Sequence, residues 1–310
     1  MTSKRPTSTL EVPNVLSRAS AHAVSACIRV SCRAHNGRRV RVRAREAIVV
    51  EKRYGDVAVE TLDGHVLVAE IQRAPNNFFD VDLIDSLSQL YEAVDADPDL
   101  RTIVLCSEGR HFCAGANLTA RASSSDQAAP DGRSPLYTRA TRMIAAKTPV
   151  VAAVQGAAVG GGLGLACSAD FRVGCSETRM TANFAQLGFH HGFGLTVLLP
   201  PLVGQQRALE LLLTGKRIDG EEAHRIGLLD RFVALEDVRT EAIAFAREIA
   251  SSAPLAVASI RETMRGDLAD RYRAATDREN DEQARLRQTD DYREGVKAYG
   301  ERRPGDFKAR

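Results

Sequence analysis

The chain has 310 residues, 44% of them hydrophobic and 26% charged, a composition that suits a folded domain with a sizeable core. No apolar run reaches the roughly 18 residues that a membrane-spanning helix needs, so no membrane partner is expected for the folded part. The six cysteines (27, 32, 106, 113, 167 and 175) form neither a CxxC pair nor a zinc spacing, which reads as reduced thiols in a cytoplasmic setting with no metal site.

The net charge of +2 joins two unlike parts. Residues 1–45 hold ten Lys/Arg against Glu11, a net +9, which leaves the rest of the chain at −7. Three readings stand for residues 1–46. They form an unstructured extension, an acid-poor transit peptide that would direct the protein to the mitochondrial matrix, or a basic arm for nucleic acid or an anionic surface. None of them belongs to the fold.

From Ala47 the pattern changes. Short β-branched runs at 48–54, 57–62 and 65–71 are split by Gly55-Asp56 and Asp63-Gly64, the marks of a meander of strands. From Leu83 to Val94 apolar residues recur at steps of three and four, predicting an amphipathic helix that stops near Pro98. TIVLCSE (102–108) and PVVAAVQG (149–156) are continuous apolar runs, as in strands buried on both faces of a parallel sheet. The polar, small-residue stretch 119–137 between them reads as a loop followed by a helix. Beyond about residue 195 the spacing is helical almost throughout. The alternation predicts an α/β domain with right-handed crossovers and a helical C-terminal part.

Familiar chemical templates are missing. GGGLGLAC lacks the third small residue of a dinucleotide fingerprint, LTGKR lacks the Ser or Thr of a P-loop, and there is no GxSxG, HExxH or EF-hand pattern. Two glycine-rich loops remain, EGRHFCAGANL (108–118) and QGAAVGGGLGLA (155–166), each following a predicted strand. Ligands bind beyond the carboxyl ends of parallel strands, and small residues there expose backbone N–H groups. Two such groups aimed at one carbonyl oxygen make an oxyanion hole; the alternative is that the glycines only allow close helix–sheet packing.

HFCAGANL, AAVQGAAVGGGLGLACSADFRV and LVGQQRALELLLTGKRIDGEEAHRIGLLDRFV together resemble the enoyl-CoA hydratase/isomerase (crotonase) family, from about Ile48 to the C-terminus. The resemblance implies a crotonase-like ββα superhelix over 47–260. It also implies a helical trimerisation segment over 261–310, a homotrimer or dimer of trimers, and an acyl-CoA thioester substrate. Coenzyme A then comes as part of the substrate and no separate cofactor is expected. By the same resemblance the N–H groups of Ala116 and Gly161 hold the thioester oxygen. Asn117, Leu118 and Thr119 line the pantetheine arm, Arg73 and Ala74 of RAPNNFF border the adenine, and Ala114, Gly160 and Phe184 are further substrate or CoA contacts. Phe307, with Arg302 and Arg303, falls where family members reach the nucleotide.

The acid or base is the difficulty. The glutamates of the family's hydratases match Gly164 and Phe184, neither of which can move a proton. The nucleophilic aspartate of the dehalogenase branch falls near Gly192. NFAQLGFHHGFG (183–194) offers instead His191, and as a weaker candidate His190, since an imidazole titrates near neutral pH. His111 reads as structural or a CoA contact, Asp170 as a cap within the sheet and Glu108 as solvated. Asp126 and Asp131 have only their placement in the loop. The sequence thus predicts an acyl-CoA enzyme that forms a thioester enolate, with hydration disfavoured. The alternatives are a thioester or C–C bond hydrolase on the same scaffold, or a non-catalytic acyl-CoA- or RNA-binding protein.

Overall fold

A computed structural model describes residues 31–33, 39–41, 50–117 and 133–310. The chain divides into two units, Met1–Ala47 and Ile48–Arg310. In the first, β1 (Ser31–Arg33) pairs antiparallel with β2 (Arg39–Arg41). The remainder of the basic head, with the roles expected of it, lies outside the described residues. The second unit is continuous to Arg310, so the helices after residue 260 belong to the same compact body as the sheet.

That unit opens with β3 (Arg53–Tyr54), β4 (Val57–Leu62) and β5 (Val66–Ile71), an antiparallel meander. Helix α1 (Val81–Ala96) follows, started by the Asp80 carboxylate accepting from Leu83 N–H at 2.9 Å and closed at Asp97, before Pro98. Next come β6 (Thr102–Ser107), α2 (Pro135–Ala145), β7 (Val150–Val154), β8 (Ala157–Val159), α3 (Gly161–Ser168), β9 (Phe171–Gly174) and β10 (Arg179–Thr181). The loop expected to reach residue 137 ends at Ser134, because Pro135 pre-sets the φ of a first helical turn. After a 3-10 turn (Ala185–Leu187) the chain forms α4 (Leu195–Leu198), α5 (Pro200–Val203), α6 (Gln205–Thr214), β11 (Ile218–Asp219), α7 (Gly220–Arg225) and β12 (Arg231–Phe232). Helices α8 (Val238–Ala250), α9 (Pro254–Arg265), α10 (Leu268–Leu286) and α11 (Asp290–Gly300) complete it.

Seven strands form the main sheet in the order β12-β9-β7-β6-β5-β4-β3, parallel from β5 to β12. Alternation along β5 sends Leu67, Ala69 and Ile71 to the face covered by α1 and α2. Val66 and Val68 go to the face covered by Val238, Ala242, Ala246 and Ala250 of α8. Both faces are buried, which is why β7 and the middle of β6 (Ile103–Cys106) are apolar. A second, three-stranded sheet, β11-β10-β8, was not foreseen; its strands have two or three residues and carry no periodic signal. It stands beside the ends of β6 and β7, where Cys113 makes a parallel bridge to Ala158. Helix α10 packs on α2 and α4, and α11 on the 3-10 turn, so the C-terminal helices cover the loops beyond the strand ends.

Candidate active site

The two glycine-rich loops meet. Cys113 N–H donates to Ala157 O (2.9 Å) and Val159 N–H to Cys113 O (3.0 Å), laying one loop along the other. Contact is so close that a β-carbon on Gly115 would stand 2.7 Å from Val159 O, and one on Gly162 would stand 2.2 Å from Cys113 O. A β-carbon on Gly161 would fall 2.2 Å from the Phe79 ring. These glycines are therefore required by proximity: the close packing they allow is of one loop on the other and on Phe79. Among the described residues no hydrogen bond uses the N–H of Ala116 or of Gly161, and Gly161 is the first residue of α3, at the positive end of its dipole. Both line a cavity of about 1200 Å³, as do Ala114, Asn117, Gly160 and Phe184.

The positions that match the family's glutamates are closed. A β-carbon on Gly164 would lie 2.8 Å from Phe193 Cβ and 3.0 Å from Phe193 O. Phe193 itself is buried, holds a left-handed φ of +58°, and packs on Phe79 with ring centroids 5.2 Å apart. Phe184 is a buried wall residue, edge-on to Phe189 at 5.4 Å, and Phe189 is edge-on to Tyr292. The wall of the cavity is aromatic on this side. A β-carbon on Gly192 would meet the side-chain ends of Tyr137 (Oη) and Gln283 (Nε2) at 2.4 Å each, so a larger residue there would have to displace both.

The histidine pair does not line the cavity. His190 Nδ1 donates to His191 O (2.8 Å), and the two rings stack with centroids 4.1 Å apart. His191 Nε2 lies 2.8 Å from Thr196 Oγ1 and 3.7 Å from Glu279 Oε1. The Thr196 hydroxyl donates to Glu279 Oε1 (2.6 Å), so His191 is the donor in its bond to Thr196. Burial, with a contribution from His190, pushes the His191 imidazole down to about 4 and keeps it neutral at physiological pH. Its placement corrects the expectation of an acid or base facing the acyl group: the ring anchors the loop that carries Gly192 and Phe193.

Glu279, on α10, is the centre of that anchor. Fully buried, it accepts from Gly194 N–H (2.8 Å), Thr196 N–H (3.1 Å) and the Thr196 hydroxyl. Burial raises its pKa and those three donors oppose the rise. Further along α10, Asn280, Gln283, Ala284 and Arg287 reach the cavity at one-turn spacing. Gln283 Nε2 donates to His190 O (3.1 Å), while its Oε1 accepts from Arg287 Nη2 (2.9 Å) and, at 3.4 Å, from Tyr137 Oη. Asp281 is the one carboxylate among the described lining residues. Sequence reasoning missed Tyr137 on α2 and Glu279 and Asp281 on α10, because a helix as charged as α10 gives no sign of which acid is buried and which faces the cavity.

The other expected contacts are divided. Arg73 and Ala74 do not line the cavity; Arg73 is held by Asp56 (2.7 Å) and Asp80 (2.8 Å), and Asn76, Phe78 and Phe79 are the residues of that segment that do. Buried Asn77 ties the segment to the first loop, donating to Glu108 O (2.9 Å) and His111 O (2.7 Å). Glu108 is a partner rather than a solvated acid, accepting from Ala74 N–H at 2.9 Å. His111 accepts from Ala157 N–H (3.2 Å) and lines the cavity. Asp170 accepts from Val150 N–H, as expected of a cap, and also binds Arg261 (3.0 Å) and Arg265 (3.1 Å) of α9. Phe307 is half exposed and away from the cavity, while Arg303 is paired with Glu294 and Glu301. Leu118, Thr119, Asp126 and Asp131 lie outside the described residues.

The architecture and the paired loops define a crotonase-type acyl-CoA enzyme. The enoyl-CoA hydratase/isomerase family matches residues 62–310, and the chain belongs to that family. It is 31% identical over 264 residues to an enoyl-CoA isomerase/hydratase of Zymoseptoria tritici, covering 80% of this chain and 85% of the relative. It is 30% identical over 238 residues to 1,2-epoxyphenylacetyl-CoA isomerase of Escherichia coli, covering 74% and 90%. The crystal structure of an enoyl-CoA hydratase/isomerase from Pseudoalteromonas atlantica superposes with a TM-score of 0.73 at 28% identity, over 82% of this chain and 100% of that one.

Proposed function

We propose that the protein binds an acyl-CoA thioester with its carbonyl oxygen between the N–H groups of Ala116 and Gly161 and stabilises the enolate formed when the α-carbon loses a proton. The observation that carries this reading is the donor pair: two N–H groups on touching loops, both lining one cavity, neither used by a hydrogen bond among the described residues. A donor of this kind contributes ~2.7–4 kcal/mol to a developing oxyanion. Coenzyme A enters as part of the substrate.

Water addition by paired glutamates has no support at Gly164 or Phe184. Proton transfer at carbon, as in an isomerase, needs a single base, and Asp281 supplies the one carboxylate on the described wall. His191 serves this chemistry indirectly, through the loop that shapes the acyl end. The same aromatic closure favours a second reading, a member that binds acyl-CoA without turning it over.

Association as a homotrimer or dimer of trimers is part of the proposal. On helix α9, Leu255, Ile260 and Met264 are 85%, 64% and 81% exposed, an apolar set suited to a subunit contact.

The test is mass spectrometry of acyl- and enoyl-CoA thioesters incubated with the protein in heavy water. Deuterium should enter the α-carbon, and both Gly161→Pro and Asp281→Asn should suppress it. Gain of one water would restore a hydratase; release of free CoA would make the protein a thioesterase. Intact thioester binding with no exchange would leave the binding protein.

A further inference from the structure

The chain contains ten phenylalanines and six tyrosines, and eight of these sixteen line the cavity that holds Ala116 and Gly161. Aromatic residues make up only 5% of the chain, so the concentration is local.

The rings begin at the donor loop itself. Phe79 is pressed on Gly161, where a β-carbon would stand 2.2 Å from its ring, and Phe184 reaches Gly160, where a β-carbon would stand 3.6 Å from Phe184 Cζ. Each ring leads a group. Phe79 is tilted 56° against Phe193 at 5.2 Å. Phe184 is edge-on to Phe189 at 5.4 Å, and Phe189 is edge-on to Tyr292 at 5.3 Å. No ring contact joins the two groups among the described residues, so two aromatic walls start from adjacent residues of one loop.

Tilted and edge-on pairs set the positive edge of one ring against the negative face of another, and a further ring entering beside them gains the same contact. A straight alkyl chain gains only its buried area. Because both walls begin at the carbonyl site, the ring they fit lies beside the thioester carbonyl and not at the far end of a long chain. Tyr137 Oη and Arg287 Nη2 both donate to Gln283 Oε1 (3.4 and 2.9 Å), so these polar groups are engaged with one another and favour an apolar body.

We propose that the acyl group is an arylacetyl, with an aromatic ring on the carbon next to the thioester carbonyl. This rests on the thioester reading above and adds to it the class of acyl group. The chemistry agrees. When the α C–H bond breaks, its proton passes to the Asp281 carboxylate and its electron pair spreads into the carbonyl and the ring. Delocalisation into the ring makes that proton more acidic than one on an alkyl thioester, which suits a described wall with a single carboxylate.

The experiment is calorimetric titration of the full chain with CoA and with three thioesters matched in carbon count: phenylacetyl-CoA, cyclohexylacetyl-CoA and octanoyl-CoA. Phenylacetyl-CoA should bind about tenfold more tightly than the other two, as ring–ring contacts allow. In Phe184→Leu and in Phe189→Leu the ratio should fall toward one. Phe171→Leu, at a ring that packs on Phe245 and does not line the cavity, should keep it. Unfolded protein changes the number of sites and not the ratio, so poor folding of a variant does not mimic the result. Equal binding of the phenyl and cyclohexyl thioesters, or tighter binding of octanoyl-CoA, would overturn the inference and leave the thioester reading standing. A ratio unchanged in both cavity variants would overturn it too. If no thioester binds better than CoA, both fail. Ring preference without deuterium entering phenylacetyl-CoA in heavy water would uphold the acyl class and refute the enolate.

Discussion

Phe193 occupies the space in front of Gly164: a β-carbon added to the glycine would stand 2.8 Å from the phenylalanine Cβ and 2.9 Å from its Cδ1. Those contacts are too short for any side chain, so Phe193 as placed leaves no room at 164 for the glutamate that the family resemblance puts there. Restoring the acid alone should therefore fail. Gly164→Glu is expected to lose at least the ~1–3 kcal/mol typical of overpacking, plus the cost of an unpaired buried carboxylate. Urea unfolding gives the loss, and mass analysis of enoyl-CoA should show no added water. A variant of wild-type stability that hydrates the substrate would refute the closed-wall account.

His191 and Glu279 give opposite pH signatures. The folded state holds His191 near 4, below the ordinary histidine value of about 6.5, so the unfolded chain binds the extra proton between those limits. Its stabilising effect is full above about 6.5 and is lost as pH falls toward 4, by up to about 3 kcal/mol. Glu279 is raised, so over its own window above the ordinary carboxylate value the folded state binds more protons and stability falls as pH rises. Stability measured between pH 4 and 7 should lose its acid-side decline in His191→Gln. In Glu279→Gln the decline should steepen.

Removing the Glu279 carboxylate leaves the N–H groups of Gly194 and Thr196 without their acceptor. Glu279→Ala should cost about 3 kcal/mol or more, at ~1–3 kcal/mol for each buried group left unpaired. Because the same loop carries Phe193 into the cavity wall, the affinity for acyl-CoA should fall with it. Thr196→Ala removes the hydroxyl that links Glu279 to His191 and should show the smaller effect. Calorimetric melting and thioester titration of both variants check the order. Equal effects would mean that the threonine carries the link alone.

Asp170 joins the end of the sheet to α9 by holding Arg261 and Arg265 together, with all three side chains under a fifth exposed. Asp170→Asn leaves two poorly solvated guanidinium groups without their counter-charge, an expected loss of about 3–5 kcal/mol. Since α9 carries the exposed apolar residues Leu255, Ile260 and Met264, the variant should also weaken any self-association. Sedimentation alongside denaturation reads both. An unchanged unfolding midpoint would show that the arginines find water instead.

The amino-acid sequence by itself determined the scaffold. Runs such as TIVLCS and VVAAV are buried on both faces of a parallel sheet, and burial on both faces leaves no polar alternation to misread. Asp80 and Pro98 bracket α1, and the two glycine loops announce themselves because only glycine tolerates contacts of 2.2–2.7 Å at the β-carbon. Tertiary structure decided the rest. Whether HH at 190–191 faces a substrate depends on a loop direction set by Phe193 at a φ of +58° and by a carboxylate 85 residues beyond Gly194. No local pattern encodes that partner, because Glu279 is one of several acids on a charged helix and only its burial sets it apart.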